Sequence, residues 1–145
     1  MKIIVQRCIN GSVTVEDKVV GKIDKGLLLL VGFTQSDDSS NIDYMVDKVL
    51  NLRIFDDENG VMNKSLLDIE GSILSVSQFT LYADASKGRR PSYINALSGD
   101  LAIKLYDEFN TKIKNKGVHL ETGIFGADMQ VTFTNDGPTT IILEK

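Results

Sequence analysis

Apolar and polar residues alternate along the first third of the chain. Ile3, Val5 and Arg7 share one parity, and Val13 and Val15 lie between Ser12, Thr14 and Glu16. Period-two alternation predicts half-buried strands. Asn10-Gly11 is a strong hairpin signal, while Asp17-Lys18 and Asp24-Lys25-Gly26 mark further turns. With Val19 to Ile23 and Leu27 to Phe33, this gives four short antiparallel strands before the first helix.

The period then changes. Ile42, Met45, Val46, Val49 and Leu50 recur at helical spacing, and Ser39 or Ser40 can cap a helix ending near Leu52. Arg53-Ile54-Phe55 is extended, Asp56 to Gly60 is a turn, and Ser72 to Leu81 reads as a buried strand with Gln78 and Thr80 facing water and Phe79 the core. A second helix runs from about Gly99 to Lys116. It has Leu101, Leu105, Tyr106, Phe109 and Ile113 on one face and Gly117 as its stop. Strands from Met129 to Thr134 and from Thr139 to Leu143 flank Asn135-Asp136-Gly137-Pro138, which reads locally as a hairpin connection. The expected architecture is one α+β domain over residues 1–145, with an antiparallel, barrel-like sheet and two packed helices.

A chain of 145 residues can build one core, and 42% hydrophobic with 25% charged residues is ordinary for a soluble domain. The one cysteine, Cys8, cannot form an internal disulfide, so a reducing cytoplasm is expected. The longest apolar run, Leu27 to Val31, falls far short of the roughly 20 residues of a membrane span. A net charge of −4 argues against general nucleic-acid binding and against a DNA partner. The one basic cluster is Lys87-Gly88-Arg89-Arg90, in a polar loop running from Tyr82 to Ser92.

Conventional catalytic signatures are missing. His119 is the only histidine and has no nucleophile-elbow motif to serve, so it reads as structural, and Cys8 reads as a buried thiol. No metal-spaced histidines or cysteines and no phosphate-cradling loop occur, so neither metal nor cofactor is expected. Two segments remain: Ser77-Gln78-Phe79-Thr80-Leu81, and Asn135-Asp136-Gly137-Pro138-Thr139-Thr140.

Together these two segments resemble the paired signature motifs of D-aminoacyl-tRNA deacylases. The likeness runs through Gln6-Arg7, Ser12 to Val15, Arg53 to Phe55, Lys87 to Ser92 and Thr122 to Met129. Cys8, Tyr93 and Thr139 stand where such proteins commonly carry valine, phenylalanine and valine. The resemblance implies a homodimer with composite sites, each made of a pocket floor from Ser77, Gln78, Phe79 and Thr80 and a cis Gly137-Pro138 peptide from the other subunit. Arg7 would hold that peptide, and Phe125 and Met129 would line the adenosine end. Lys87, Arg89 and Arg90 are candidate phosphate contacts for the 3′ acceptor end of an aminoacylated tRNA.

The implied reaction is ester hydrolysis that releases a free D-amino acid and tRNA, with glycyl-tRNA, including glycine mischarged on tRNA(Ala), also accepted. Two rigid main-chain carbonyls can hold the substrate ammonium while the backbone fills the direction an L side chain needs. Backbone N–H groups near Phe79 and Thr80 are candidate oxyanion donors. Attack by the Thr80 hydroxyl, or by water with help from the ribose 2′-hydroxyl, are both compatible with these residues; the second needs no base. A non-catalytic RNA- or DNA-binding module and a hydrolase of free D-amino-acid esters or peptides are the other readings.

Overall fold

The computed structural model describes residues 1–145. Strands β1 (Lys2–Val15) and β2 (Lys18–Gly32) are long and pair antiparallel along almost their whole length. The hairpin between them turns at Glu16 and Asp17, both with positive φ (48° and 59°), the backbone of the tight turn that matches strand twist. The four short strands expected here are thus two. Asn10-Gly11 is not a turn: Asn10 takes φ 54° inside β1, and the ladder to the last strand shifts between Ile9 and Ser12. This bulge resets the alternation, so that Cys8 and Val13, of opposite parity, join the same buried cluster.

Helix α1 (Ser39–Asn51) is capped by Asp38 rather than by either serine; its carboxylate accepts from the Ser40 and Asn41 amides, and Asn41 Oδ1 accepts in turn from the Asp38 amide. A small hairpin, β3 (Phe55–Asp56) with β4 (Met62–Lys64), precedes β5 (Ser72–Ser77). A 3₁₀ turn (Phe79–Tyr82), α2 (Gly99–Asn115), β6 (Leu120–Thr122) and β7 (Gln130–Glu144) complete the chain.

The five-stranded sheet has the order β6-β5-β2-β1-β7. The α+β class and both helices are as expected, but the sheet is mixed. β7, β1 and β2 are antiparallel, whereas β5 joins β2 in parallel and β6 joins β5 in parallel. Parallel pairing follows from the crossovers, since α1 separates β2 from β5 and α2 separates β5 from β6.

Leu27, Leu29, Val31 and Ile73 face α1 and α2 in the main core, while Leu28, Leu74 and Val76 face the opposite side. Burial on both faces explains the unbroken apolar run of β2. On α2, Ala102 enters the core, whereas Leu101 is 51% exposed. No helix is long and apolar enough to cross a membrane.

Candidate functional site

β5 ends where its pairing to β2 ends, at Ser77 opposite Val31. Gln78 keeps one more bond, its amide donating to Val31 O at 2.7 Å, and the chain then turns into the 3₁₀ segment. Phe79 is consequently 57% exposed, the reverse of the inward orientation expected for a continuing strand. Gly32 is required beneath this turn, because a Cβ there would lie 2.8 Å from Gln78 O. The Gln78 side chain donates from Nε2 to Thr80 Oγ1 at 2.6 Å. No ionisable side chain hydrogen-bonds Thr80, so its hydroxyl has no general base at hand. Phe79 N–H and Thr80 N–H open the turn without intrahelical acceptors, and no loop carbonyl takes them up.

Above this turn is a cavity of about 590 Å³, within the ~300–1,000 Å³ range of sites that hold one small ligand. Ser77, Gln78, Phe79, Phe125 and Met129 all line it, with Asp128 as its only charged lining residue. Thr80, expected in the same floor, does not line the cavity and is connected to it only by its hydrogen bond from Gln78. Phe125 is carried by the loop between β6 and β7, which is tied down at Gly123, whose amide donates to Ser75 O at 3.1 Å. The Tyr106 hydroxyl donates to the same carbonyl at 2.8 Å, and its ring packs on Phe125 with centroids 5.8 Å apart. Burial pushes the Tyr106 hydroxyl above its ordinary pKa, so it stays a donor at neutral pH.

Arg7, Gly137 and Pro138 do not line this cavity. They form a second constellation, on the edge strand β7. Gln6 pairs with Thr140 and Cys8 with Asn135, so four residues of β7 stand opposite the single residue Arg7. The segment 136–139 is therefore an outcrop from one continuous strand, not the hairpin connection that its sequence suggests locally. Its base is stitched by Asn135, whose Oδ1 accepts from Thr139 N and whose Nδ2 donates to Thr140 Oγ1, each at 3.0 Å.

Arg7, only 6% exposed, donates from Nε to Asp136 O at 3.0 Å and from Nη1 to Ile54 O at 3.1 Å. Asp56 and Asp136 carboxylates at 3.6 Å balance its charge. The Gly137-Pro138 peptide is cis, both residues are exposed, and neither has a ladder partner.

Lys87, Arg89 and Arg90 are exposed on a loop closed by the Asp84–Ser92 bridge, with reciprocal backbone bonds of 2.8 Å. His119 is exposed, 3.4 Å from Glu121, and is not part of the cavity. Cys8 is buried, and burial pushes its thiol up to about 11. Sequence reasoning missed two residues. Asn135 was readable as an Asx-type turn former two positions before glycine. Tyr93, which lines the cavity and meets Phe79 edge-on at 5.1 Å, gave no local signal.

The sequence pattern of the family described as D-Tyr-tRNA(Tyr) deacylase matches residues 4–144. The chain belongs to that family. It is accordingly a hydrolase. The D-aminoacyl-tRNA deacylase of Clostridioides difficile (strain 630) is 56% identical over 145 residues, covering 100% of this chain and 97% of the relative. That of Bacillus cytotoxicus is 53% identical, covering 100% and 99%. Among solved structures, the "c-Myc DNA Unwinding Element Binding Protein" superposes with a TM-score of 0.94 at 39% identity, covering 100% of this chain and 99% of that one.

Proposed function

We propose that the chain deacylates D-aminoacyl-tRNA at a site shared between two copies, the cavity above the Ser77–Thr80 turn receiving Gly137-Pro138 from its partner. The deacylase activity follows from family membership along nearly the whole chain. The observation that carries the shared site is the separation of the two constellations. Gly137-Pro138 protrudes from the edge strand, is braced by Arg7 and Asn135, and is absent from the walls of its own chain's cavity. A braced, exposed main-chain outcrop with no internal role suits insertion into a second molecule.

In this arrangement the terminal adenosine lies against Phe125 and Met129, and the ester carbonyl turns toward the free amides of Phe79 and Thr80. These stabilise the oxyanion of the tetrahedral intermediate, an effect worth about 3–4 kcal/mol per donor. The carbonyls of Gly137 and Pro138 hold the α-ammonium, and their backbone occupies the direction that an L side chain would need. A D side chain points outward, and glycine has no side chain to clash, so glycyl-tRNA is cleaved as well. Water attacks with help from the ribose 2′-hydroxyl, and the protein supplies position and electrostatics.

Lys87, Arg89 and Arg90 contact acceptor-end phosphates. With a net charge of −4 and three of its sixteen lysines and arginines in this loop, the chain is assigned no DNA partner and a cytoplasmic location. Hydrolysis of D- and L-tyrosyl-tRNA side by side tests the reading: release from the D ester with the L ester spared supports it, and equal cleavage or none refutes it. Comparison with a free D-tyrosine ester separates tRNA deacylation from small-ester hydrolysis.

A further inference from the structure

We infer that Phe79 and Tyr93 form a stacking platform at the cavity rim for an unpaired base preceding the esterified adenosine. This rests on the tRNA reading above. The cavity, about 590 Å³, is of a size for a single small ligand, so a nucleoside with its amino acid fills it. The nucleotide before must then lie at the rim.

Two aromatic rings wait there. Phe79 is 57% and Tyr93 42% exposed, and they meet edge-to-face with centroids 5.1 Å apart, leaving ring surface open to solvent. Exposed aromatics beside a nucleic-acid site are the usual partners of splayed, single-stranded bases.

The backbone around Tyr93 is fixed in advance. Gln35 Nε2 donates to Ile94 O at 2.8 Å and Thr34 Oγ1 to Asn95 O at 2.6 Å. The reciprocal bond between Asp84 and Ser92 ends one residue before Tyr93. That bridge also places the basic tip, Lys87, Arg89 and Arg90, on the loop that springs from beside the platform. A base on the rings and its phosphate beneath the cations form one continuous path for a single strand. Platform and cations therefore match a nucleic-acid strand in both surface type and charge.

The test compares D-tyrosyl-tRNA with D-tyrosyl-adenosine, which has no preceding nucleotide. Tyr93→Ala is expected to raise KM for the tRNA more than for the nucleoside ester by about 5- to 150-fold, the span of base–aromatic stacking by alanine substitution. Tyr93→Phe and Tyr93→Trp are expected to restore it.

A short 3′-terminal oligonucleotide carrying 2-aminopurine before the terminal adenosine gives a direct signal: quenching on binding to the unsubstituted protein, and little quenching with Tyr93→Ala. Equal losses on both substrates, or unchanged quenching, overturn the inference. So does a Tyr93→Ala protein whose only defect is weakened self-association in sedimentation, which would make the rings a subunit contact. Failure of the unsubstituted protein to hydrolyse either ester would instead refute the deacylase reading itself.

Discussion

Gly137→Ala tests the outcrop most sharply, because the structure sets the size of the damage. Gly137 has φ +122°, in a region essentially reserved for glycine, and other residues held in such regions are strained by about 1–3 kcal/mol. A Cβ on the existing backbone would lie 2.7 Å from Thr139 Oγ1 and 2.8 Å from Arg7 Nη2, against 3.4 Å for ordinary contact. The shortfall is 3.4 − 2.7 = 0.7 Å on one side and 3.4 − 2.8 = 0.6 Å on the other. Neither neighbour yields easily, since Thr139 is pinned through Asn135 and Arg7 through two carbonyls. The outcrop itself must move. Misplacing a positioning group by about 1 Å costs on the order of a hundredfold in rate, equivalent to about 2.7 kcal/mol in the barrier. Single-turnover hydrolysis of D-tyrosyl-tRNA with enzyme in excess, on protein checked by denaturation and sedimentation, should show at least that loss with self-association intact. A near-normal rate in a folded Gly137→Ala protein refutes the reasoning.

Other substitutions probe the supports. Arg7→Met keeps bulk but removes the donors to Asp136 O and Ile54 O; hydrogen bonds involving charged groups are worth about 1.5–3 kcal/mol, so a loss of that order is expected in urea unfolding together with slower deacylation. Thr80→Val should retain a substantial rate while a terminal 2′-deoxyadenosine ester is cleaved poorly; the opposite pattern makes the Thr80 hydroxyl the nucleophile. Thr139 Oγ1 is buried without a hydrogen-bond partner, so the near-isosteric Thr139→Val should stabilise the protein by about 1–3 kcal/mol, read as a raised urea midpoint.

Much of this was legible in the residues because the signals were local. Helical periodicity placed Ile42, Met45, Val46, Val49 and Leu50 on the buried face of α1, where all five are found. The two motif segments lie in the two constellations, and Arg7 donates to Asp136 O, one residue before Gly137. The misreadings share one cause: a turn signal does not reveal what the chain does next. Asn10-Gly11 and Asn135 to Pro138 both look like hairpin corners. In the structure, both halves of each segment pair with the same neighbouring strand, so one is a bulge and the other an outcrop. Parallel pairing of β5 and β6 depends on tertiary crossovers, and β6, three residues long, has too short a pattern to read. The exposure of Phe79 depends on where β5 runs out of partners, which alternation along β5 alone does not show.

The shared site is tested most directly by mixing two inactive proteins. Gly137→Ala leaves its own cavity intact, and Ala127→Trp, at a lining position, blocks the cavity but keeps its own Gly137-Pro138. After co-refolding, a mixed dimer pairs one open cavity with one unaltered outcrop. Random assortment should then restore about a quarter of the unsubstituted activity, since half the dimers are mixed and each has one complete site. Activity no greater than the sum of the separate variants would place cavity and outcrop in the service of the same chain, and the account would fail.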